Sequence, residues 1–517
     1  LSNLQKRVRR VGLKERLIFA SLSAVITAIS MPGMVSSIFV WFGLVPLFFA
    51  LQDDGNFKLR LSFFLGWYFG ILYMGISTYW LLPTLVKNIA LFNNFPPIFG
   101  VLAFVMFAII EGLFFGAFAF FYALFQRKSG HVPWIVHMLS MAGIYIIFEF
   151  LRGYGATGFT GSMLSDALYG EIGTLQIVSF VGAIGLTFLV FLANYLIYRF
   201  LSKKNFKGLT ILLIVIAFSY LFSAFYPYMI KTDQGRKLSI GVVQPNISVS
   251  QRYSMSSDQI FKEVKWGITS LATKTKIVFF PEGTFEYEIS GTKVYSDLKA
   301  LLKAENVRAV IGYPSSKNGK IYNSAGLFDE NGLEEIYSKH ILVPFTETLP
   351  YPQIFGVFGF LKLGEFFTPG NKFTVFHFDD ENFSTDICFE SYFGWLSRKF
   401  TNEGAQFIVT ITDDSWFDQR TALIQHFSQD VMRAVENRKW VVQVADTGIT
   451  GAINPYGQIV EQLPIHKKIA STFDIYPNNV KTFYDRFGDI VLWLSIGFVI
   501  LESFFIFKRL FKDLYQK

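Results

Sequence analysis

Apolar segments fill most of the first 230 residues and return once near the end, which limits the chain to a membrane-spanning fold with one large polar insert. The segments are 16–30, 35–51, 61–82, 97–125, 134–151, 172–199 and 207–229, with an eighth at 489–507. A spanning helix needs about 20 apolar residues, so the first two are short and read as spans that are partly interfacial. Met31-Pro32-Gly33-Met34 between them reads as a tight turn, not a signal-peptidase site, so the N-terminal segment is expected to stay attached as an anchor. Composition points the same way: 52% hydrophobic residues and a mean hydropathy of +0.37 suit a polytopic membrane protein and not a soluble domain.

The net charge of +8 would suit nucleic acid if it were spread over one face. Instead the basic residues cluster beside apolar runs, and no nucleic-acid partner is expected. Lys6, Arg7, Arg9, Arg10, Lys14 and Arg16 precede the first segment. Lys58 and Arg60, then Arg127 and Lys128, then Arg199, Lys203, Lys204 and Lys207 fill alternate loops, and Lys508, Arg509 and Lys512 follow the last segment. The intervening short loops carry little beyond Lys87 and Arg152. By the positive-inside rule both termini are cytoplasmic and 230–488 lies across the membrane. Charges within apolar segments are costly and face a bundle interior or a wet cavity. Glu149 and Arg152 have the spacing of a helical ion pair, with a lipid-headgroup contact as the alternative; Glu111 and Glu502 have no evident partner.

Residues 238–476 change character. Short β-rich runs recur at 238–244, 276–280, 309–313, 321–328, 374–378, 383–388, 407–412, 441–445 and 452–459. Helical stretches lie among them at 257–274, 295–305, 392–403 and 422–438. That mixture predicts an α/β sandwich. Reactive side chains in such folds gather just beyond strand ends. Three strand ends here carry them: Phe280-Pro281-Glu282, the run from Lys339 through Pro344 to Glu347, and Ile387-Cys388-Phe389-Glu390. Taken singly, Glu282 suits a helix cap, and Lys339 and Glu347 a surface ion pair.

Cys388 is the only cysteine, which excludes an internal disulfide framework. A thiol at the exit of a strand stands clear of the sheet near backbone N–H groups, a good place for a nucleophile; a buried core cysteine is the alternative. The six histidines show no ligand spacing with the cysteine or with each other, so no metal or other cofactor is expected. Residues 351–361 are too short and glycine-broken to span a membrane, yet too apolar for an exposed loop. They read either as a membrane-dipping lid or as a buried connection.

Pro281-Glu282, Lys339-His340-Ile341-Leu342-Val343-Pro344-Phe345-Thr346-Glu347 and Ile387-Cys388-Phe389-Glu390 resemble the motifs of the nitrilase (carbon–nitrogen hydrolase) superfamily. Its fusion between seven preceding spans and one following resembles the apolipoprotein N-acyltransferase family. So do Leu151-Arg152-Gly153 with Thr157-Gly158-Phe159, Tyr322-Asn323, Asp414-Ser415-Trp416-Phe417, Gln425-His426-Phe427 and Thr447-Gly448-Ile449-Thr450. The chain departs from the family pattern at Thr160-Gly161, where Pro-Trp is usual, at Phe389, where Tyr is common, and at Asp413 and Asp418, where Asn and Gly are usual.

The resemblance implies a membrane α-helical bundle of about eight transmembrane helices plus an exported α/β domain, a nitrilase-like αββα sandwich. The implied division is a seven-helix membrane domain at 1–230, a catalytic domain at 231–480, and a final transmembrane helix with a cytoplasmic tail at 481–517. It further implies a multi-pass protein of the bacterial inner membrane, monomeric, with its catalytic domain on the periplasmic face. The implied reaction carries an acyl chain from a phospholipid to the N-terminal amine of a diacylglyceryl-modified apolipoprotein through a thioester on Cys388. Glu282 is then the general base, and Lys339 and the Phe389 amide stabilise the oxyanion. Glu347 and Glu390 are expected to hold Lys339 or the incoming amine. Tyr253, Asn323, Phe358 and Trp416 are candidate lipid contacts. A membrane-anchored nitrilase-type amidase would use the same three catalytic residues, and a transporter or scaffold with a decayed nitrilase domain would be expected to have lost one of them.

Overall fold

The computed structural model describes residues 11–53, 57–91, 95–203, 206–229, 236–356 and 366–515. Among the described residues, five helices are long and apolar enough to cross a membrane: Leu59–Ser77, Pro97–Lys128, Trp134–Arg152, Val178–Ser202 and Ile490–Lys512. The apolar segments at 16–30 and 207–229 are the helices Leu13–Ala28 and Phe206–Met229. The segment at 35–51 is not one helix. It forms a tight turn of helix at Ser37–Trp41 and a short helix at Val45–Ala50, broken where Gly43 packs against Thr27. A side chain on Gly43 would meet the Thr27 hydroxyl at 2.6 Å. The opened backbone is satisfied by neighbours: Ser23 Oγ donates to the Gly43 carbonyl (2.6 Å), and Asn194 both donates to the Val40 carbonyl and accepts from the Leu44 amide (2.8 Å each). Irregular backbone among membrane helices persists only where protein supplies such partners.

The charges inside the bundle are paired. Arg152 bonds Glu149, as its spacing predicts, and also Glu111 at 3.2 Å, while donating to the Phe159 and Gly161 carbonyls (2.9 and 3.0 Å). Glu502 lies 2.8 Å from His137 Nδ1. Arg16, grouped above with the loop cations, is buried and donates to the Ala50 and Gln52 carbonyls, capping the end of the helix Val45–Ala50.

The polar half forms two six-stranded sheets. The strands are Leu238–Gln244 (β1), Ile277–Phe279 (β2), Arg308–Lys317 (β3), Lys320–Asp329 (β4), Gly332–Ser338 (β5), Phe376–Phe378 (β6), Glu381–Ile387 (β7), Phe407–Thr412 (β8), Trp440–Ala445 (β9), Gly451–Ile453 (β10), Ile459–Gln462 (β11) and Ile469–Ile475 (β12). Their orders are β12-β1-β2-β3-β4-β5 and β11-β10-β9-β8-β7-β6. The expected strand at 452–459 is split into β10 and β11 by the turn at Asn454–Gly457. β5 and β12 were not expected. Both are sheet edges with one face partly open, so their apolar residues do not form the continuous run that marks a buried strand.

Alternation along the strands builds three layers of packing. Val242, Phe279 and Val310 of the first sheet face Phe383, Val409 and Val442 of the second, and Phe279 meets Phe383 edge-on at 5.3 Å. The outer face of the first sheet is covered by the helices Ser257–Leu271 and Lys293–Glu305. On the second sheet the outward residues Ile408, Val441 and Ile453 pack beneath the helix Arg420–Asn437. That helix belongs to one continuous apolar cluster with the membrane helices. Two of its polar residues reach to opposite sides. Gln425 accepts from Trp80 Nε1 (2.8 Å) and donates to the Ser77 carbonyl (2.9 Å), whereas Arg433 donates to the Ser391 and Tyr392 carbonyls (3.1 and 3.2 Å). This helix thus packs on both the sandwich and the bundle.

Candidate active site

β1, β2 and β3 run parallel, as do β7, β8 and β9, and β5 regains the direction of β3 after two antiparallel steps. The residues that follow β2, β5, β7, β8 and β9 therefore share one edge of the sandwich. Pro281 cannot continue the β2 ladder, and the chain turns sharply over Gly312, where an added Cβ would meet the Pro281 carbonyl at 2.5 Å. This turn presents Glu282 to the edge.

Lys339 follows β5 and is buried, with its amide donating to the Asn323 carbonyl (2.8 Å). Its Nζ donates to Glu282 Oε1 at 3.0 Å and to Glu347 Oε1 at 2.9 Å. Asn323 Nδ2 bridges the same two oxygens at 2.7 and 2.8 Å. The remaining Glu282 oxygen accepts from the Asp413 amide at 3.0 Å. Burial opposes both charges, but each is held by the other. Against burial, Lys339 and the donors from Asn323 and Asp413 keep the Glu282 pKa below its ordinary value. Glu282 and Glu347 likewise keep Lys339 well above its own.

Cys388 leaves β7 in the left-handed region, at φ 52°. A residue with a side chain stores on the order of 1–3 kcal/mol there, so the turn must be held from outside. His426 does this: its Nε2 lies 3.1 Å from the Cys388 carbonyl and its Nδ1 2.8 Å from Asp414 Oδ1. Two acceptors require protons on both ring nitrogens. Burial works against that charge, yet Asp414 raises the pKa to about 9. Burial and the Glu282 charge push the Cys388 thiol well above its ordinary pKa, with Lys339 opposing them. At rest the site holds a neutral thiol beside an anionic Glu282 and a cationic Lys339.

Residues 239–482 match the carbon-nitrogen hydrolase family model, and residues 23–196 match that of the apolipoprotein N-acyltransferase N-terminal domain. Over 495 residues the chain is 38% identical to the apolipoprotein N-acyltransferase of Thermotoga maritima, covering 94% of this chain and 93% of that one. The chain belongs to the apolipoprotein N-acyltransferase family. A Geobacter metallireducens relative of the same name is 27% identical, with 95% of each chain covered.

In this apolipoprotein N-acyltransferase family member the expected site residues divide into three groups. Glu282, Lys339 and Glu347 form one ion-paired cluster, beside which Cys388 stands. Asn323, expected to meet lipid, belongs instead to that cluster as the bridge between two carboxylates. Glu390, expected to hold Lys339 or an amine, accepts from backbone amides and the Tyr337 hydroxyl. One oxygen accepts from the His340 and Ile341 amides (2.7 and 3.2 Å) and the Tyr337 hydroxyl (2.8 Å), the other from the Ile387 amide (2.9 Å). It thereby staples the loop after Lys339 to the residue before Cys388. Burial and nearby Asp386 push its pKa up to about 8.

The peripheral residues lie at the seam with the membrane domain or on the rim. The Phe389 ring lies parallel to Phe159 at 6.4 Å, and Phe159 meets Phe107 of the helix Pro97–Lys128 at 5.5 Å. The Trp416 carbonyl accepts from Asn88, and Phe417 packs edge-on against Trp80 at 5.1 Å. Tyr253 is 57% exposed on the rim. Phe358 and the rest of 357–361 lie outside the described residues; the start of the segment, at Tyr351, approaches Gly155 of the membrane half.

Sequence reasoning gave no role to Arg252, Asp414, His426 or Asp446. Asp413 and Asp446 stand one residue beyond β8 and β9, so the strand-end rule that singled out Lys339 and Cys388 covers them too. Arg252, on the short helix Val249–Ser254, reads as a solvated cation, and nothing in its neighbourhood along the chain signals otherwise.

Replacing Glu390 by leucine leaves those buried amides without an acceptor, at about 1–3 kcal/mol each. Glu390→Leu is expected to unfold at markedly lower denaturant, whereas Glu390→Gln, which keeps one acceptor oxygen, falls between it and the wild type. Equal midpoints for all three in chemical denaturation of detergent-solubilised protein would remove the stapling role.

Proposed function

We propose that this protein carries an acyl chain from a membrane phospholipid to the N-terminal amine of a lipoprotein's diacylglyceryl-cysteine, by way of a thioester on Cys388. The observation that carries this reading is the Lys339–Glu282 ion pair beside a thiol held in a strained turn, on the edge of the sandwich that meets the membrane helices. Membership of the apolipoprotein N-acyltransferase family supports the acceptor.

Glu282 takes the thiol proton as sulfur attacks the sn-1 ester carbonyl. Losing its own charge in that step, the carboxylate stops opposing the thiolate it creates. The tetrahedral oxyanion is met by Lys339 and the Phe389 amide. As the intermediate collapses, Glu282 returns the proton to the departing alkoxide and the lysophospholipid leaves. In the second half the acceptor amine attacks the thioester, its proton passes to Glu282, and the thiolate leaves to be reprotonated. An amine wins over water only if the thioester is shielded, which the packed aromatic seam at Phe159 and Phe389 favours. The topology proposed with this chemistry has eight crossings, with 231–480 on the periplasmic side, both termini cytoplasmic, and a monomer as the working unit.

Incubating the purified protein with a fluorescent phospholipid and a diacylated lipopeptide tests the reading. Sustained lysophospholipid release is expected to depend on a free amine and, with an N-blocked lipopeptide, to stop after about one equivalent per enzyme, the amount released as the thioester forms. Equal release with both peptides would identify a hydrolase and favour the amidase reading.

A further inference from the structure

Behind the face that Glu282 turns toward Cys388 lies a second buried charge cluster, centred on Arg252, which is 2% exposed. Its Nη1 donates to the Gly283 carbonyl (2.9 Å), Asp413 Oδ2 (3.0 Å) and Glu286 Oε1 (3.4 Å). Its Nη2 donates to Asp413 Oδ1 (3.4 Å) and to Asp446 Oδ2. One guanidinium therefore grips the loops that follow β2, β8 and β9, from a helix that follows β1. Each grip bears on Glu282. Gly283 is its chain neighbour, and Asp413 supplies the amide bonded to Glu282 Oε2 at 3.0 Å. Asp446 closes the loop behind, accepting from the Ile247 amide (2.7 Å) just before the Arg252 helix.

We propose that Arg252 is the positioning residue of Glu282: it fixes the carboxylate's backbone and its Asp413 amide donor, and its charge offsets that of Asp413, which would otherwise oppose the ionised base. The inference rests on Glu282 being the general base. It also accounts for an aspartate at 413 where the resembled family usually has asparagine: the added negative charge is tolerable beside Glu282 because a cation is bonded to it. The groups facing Glu282 are Lys339, Glu347 and the Cys388 thiol on one side, and Asp413, with Glu286 and Asp446 beyond it around Arg252, on the other. Burial pushes Glu286 and Asp446 each up to about 7, with Arg252 opposing it, so the cluster has little cation to spare.

The test is single-turnover thioester formation from a fluorescent phospholipid by the full-length protein, followed against pH for wild type, Glu282→Gln, Arg252→Gln, Arg252→Lys and Arg252→Gln/Asp413→Asn. General-base catalysis supplies about 100–10,000-fold, and misplacement forfeits part of it, so Arg252→Gln is expected to acylate on the order of 10–100-fold more slowly near neutral pH. Its acidic limb should move to higher pH, because uncompensated carboxylates hold the proton on Glu282, and the phospholipid half-saturation should stay within about twofold. Arg252→Lys should lie between, and the double variant should bring the limb back toward wild type. An acidic limb unmoved in Arg252→Gln while Glu282→Gln is inactive overturns the positioning role alone. Wild-type acylation by Glu282→Gln overturns the base assignment and this inference with it. Should Arg252→Gln not fold, a wild-type limb in Arg252→Lys overturns the proposal, and a shifted limb supports it.

Discussion

Cys388→Ala is expected to form no acyl thioester and to lose acyl transfer by at least about 10,000-fold, the scale on which removal of a covalent nucleophile is felt. The experiment is clean because the chain has no second thiol. Any hydroxylamine-sensitive fluorescent adduct on the wild type must sit on this residue, at no more than one per chain. Alanine occupies the left-handed position at a cost similar to that of cysteine, so the turn held by His426 should survive and the protein should stay folded. Transfer by the folded variant within tenfold of wild type, or an adduct that persists in it, would remove Cys388 from the reaction.

Lys339→Met is expected to act on rate and stability together. Losing an oxyanion donor costs about 100–1000-fold in turnover. Breaking a buried ion pair by deleting one partner costs about 3–5 kcal/mol, here because Glu282 and Glu347 are left without their cation. The pH dependence gives the test its sign. In the wild type Glu282 lies below its ordinary pKa of 4.5, so its contribution is present above that pH and is lost as pH falls through the lowered value. Lys339 lies above 10.5, so its contribution is full below that pH and is lost only as pH rises beyond it, through the raised value. The pair should therefore leave stability level between roughly pH 5 and 10. In the variant only the Asn323 and Asp413 donors still oppose burial on Glu282; with the strongest opposing group gone its pKa is expected to rise, so folding favours the protonated form and stability should fall as pH rises above about 4.5. Denaturation midpoints at pH 5.5 and 8 decide it: a variant no less stable at pH 8 than at pH 5.5 would show that the carboxylates have another partner.

What could be read along the chain, and what could not, follows from how local each signal is. Glu282 follows a short apolar run, Lys339 and Glu347 flank another, and Cys388 ends a strand of mixed pattern; such marks are visible without knowing the fold. The ionic spacing of Glu149 and Arg152 is equally local, and the structure keeps that pair. Glu111 joins it from another helix, which no spacing predicts. The backbone amides of two loops to which Glu390 is turned are a matter of tertiary geometry that its place near Cys388 does not reveal. Arg252 is further out of reach: three loops distant in sequence converge on it, and only the parallel strand order brings them together. The break at Gly43 was hidden for a similar reason. An unbroken apolar stretch looks like a helix until Asn194 and Ser23 offer its backbone another set of partners.

The helix Arg420–Asn437 has a consequence for anyone hoping to work with the polar half alone. It serves as the outer wall of the second sheet and as the floor on which the bundle stands, and His426 on it steadies the Cys388 turn while Gln425, one residue earlier, is tied to Trp80 and Ser77. Excising residues 231–480 would uncover an apolar wall in water and slacken that turn in the same stroke. Heat or detergent stress that loosens the lipid-embedded portion should accordingly be felt at the sulfur before the sandwich itself gives way.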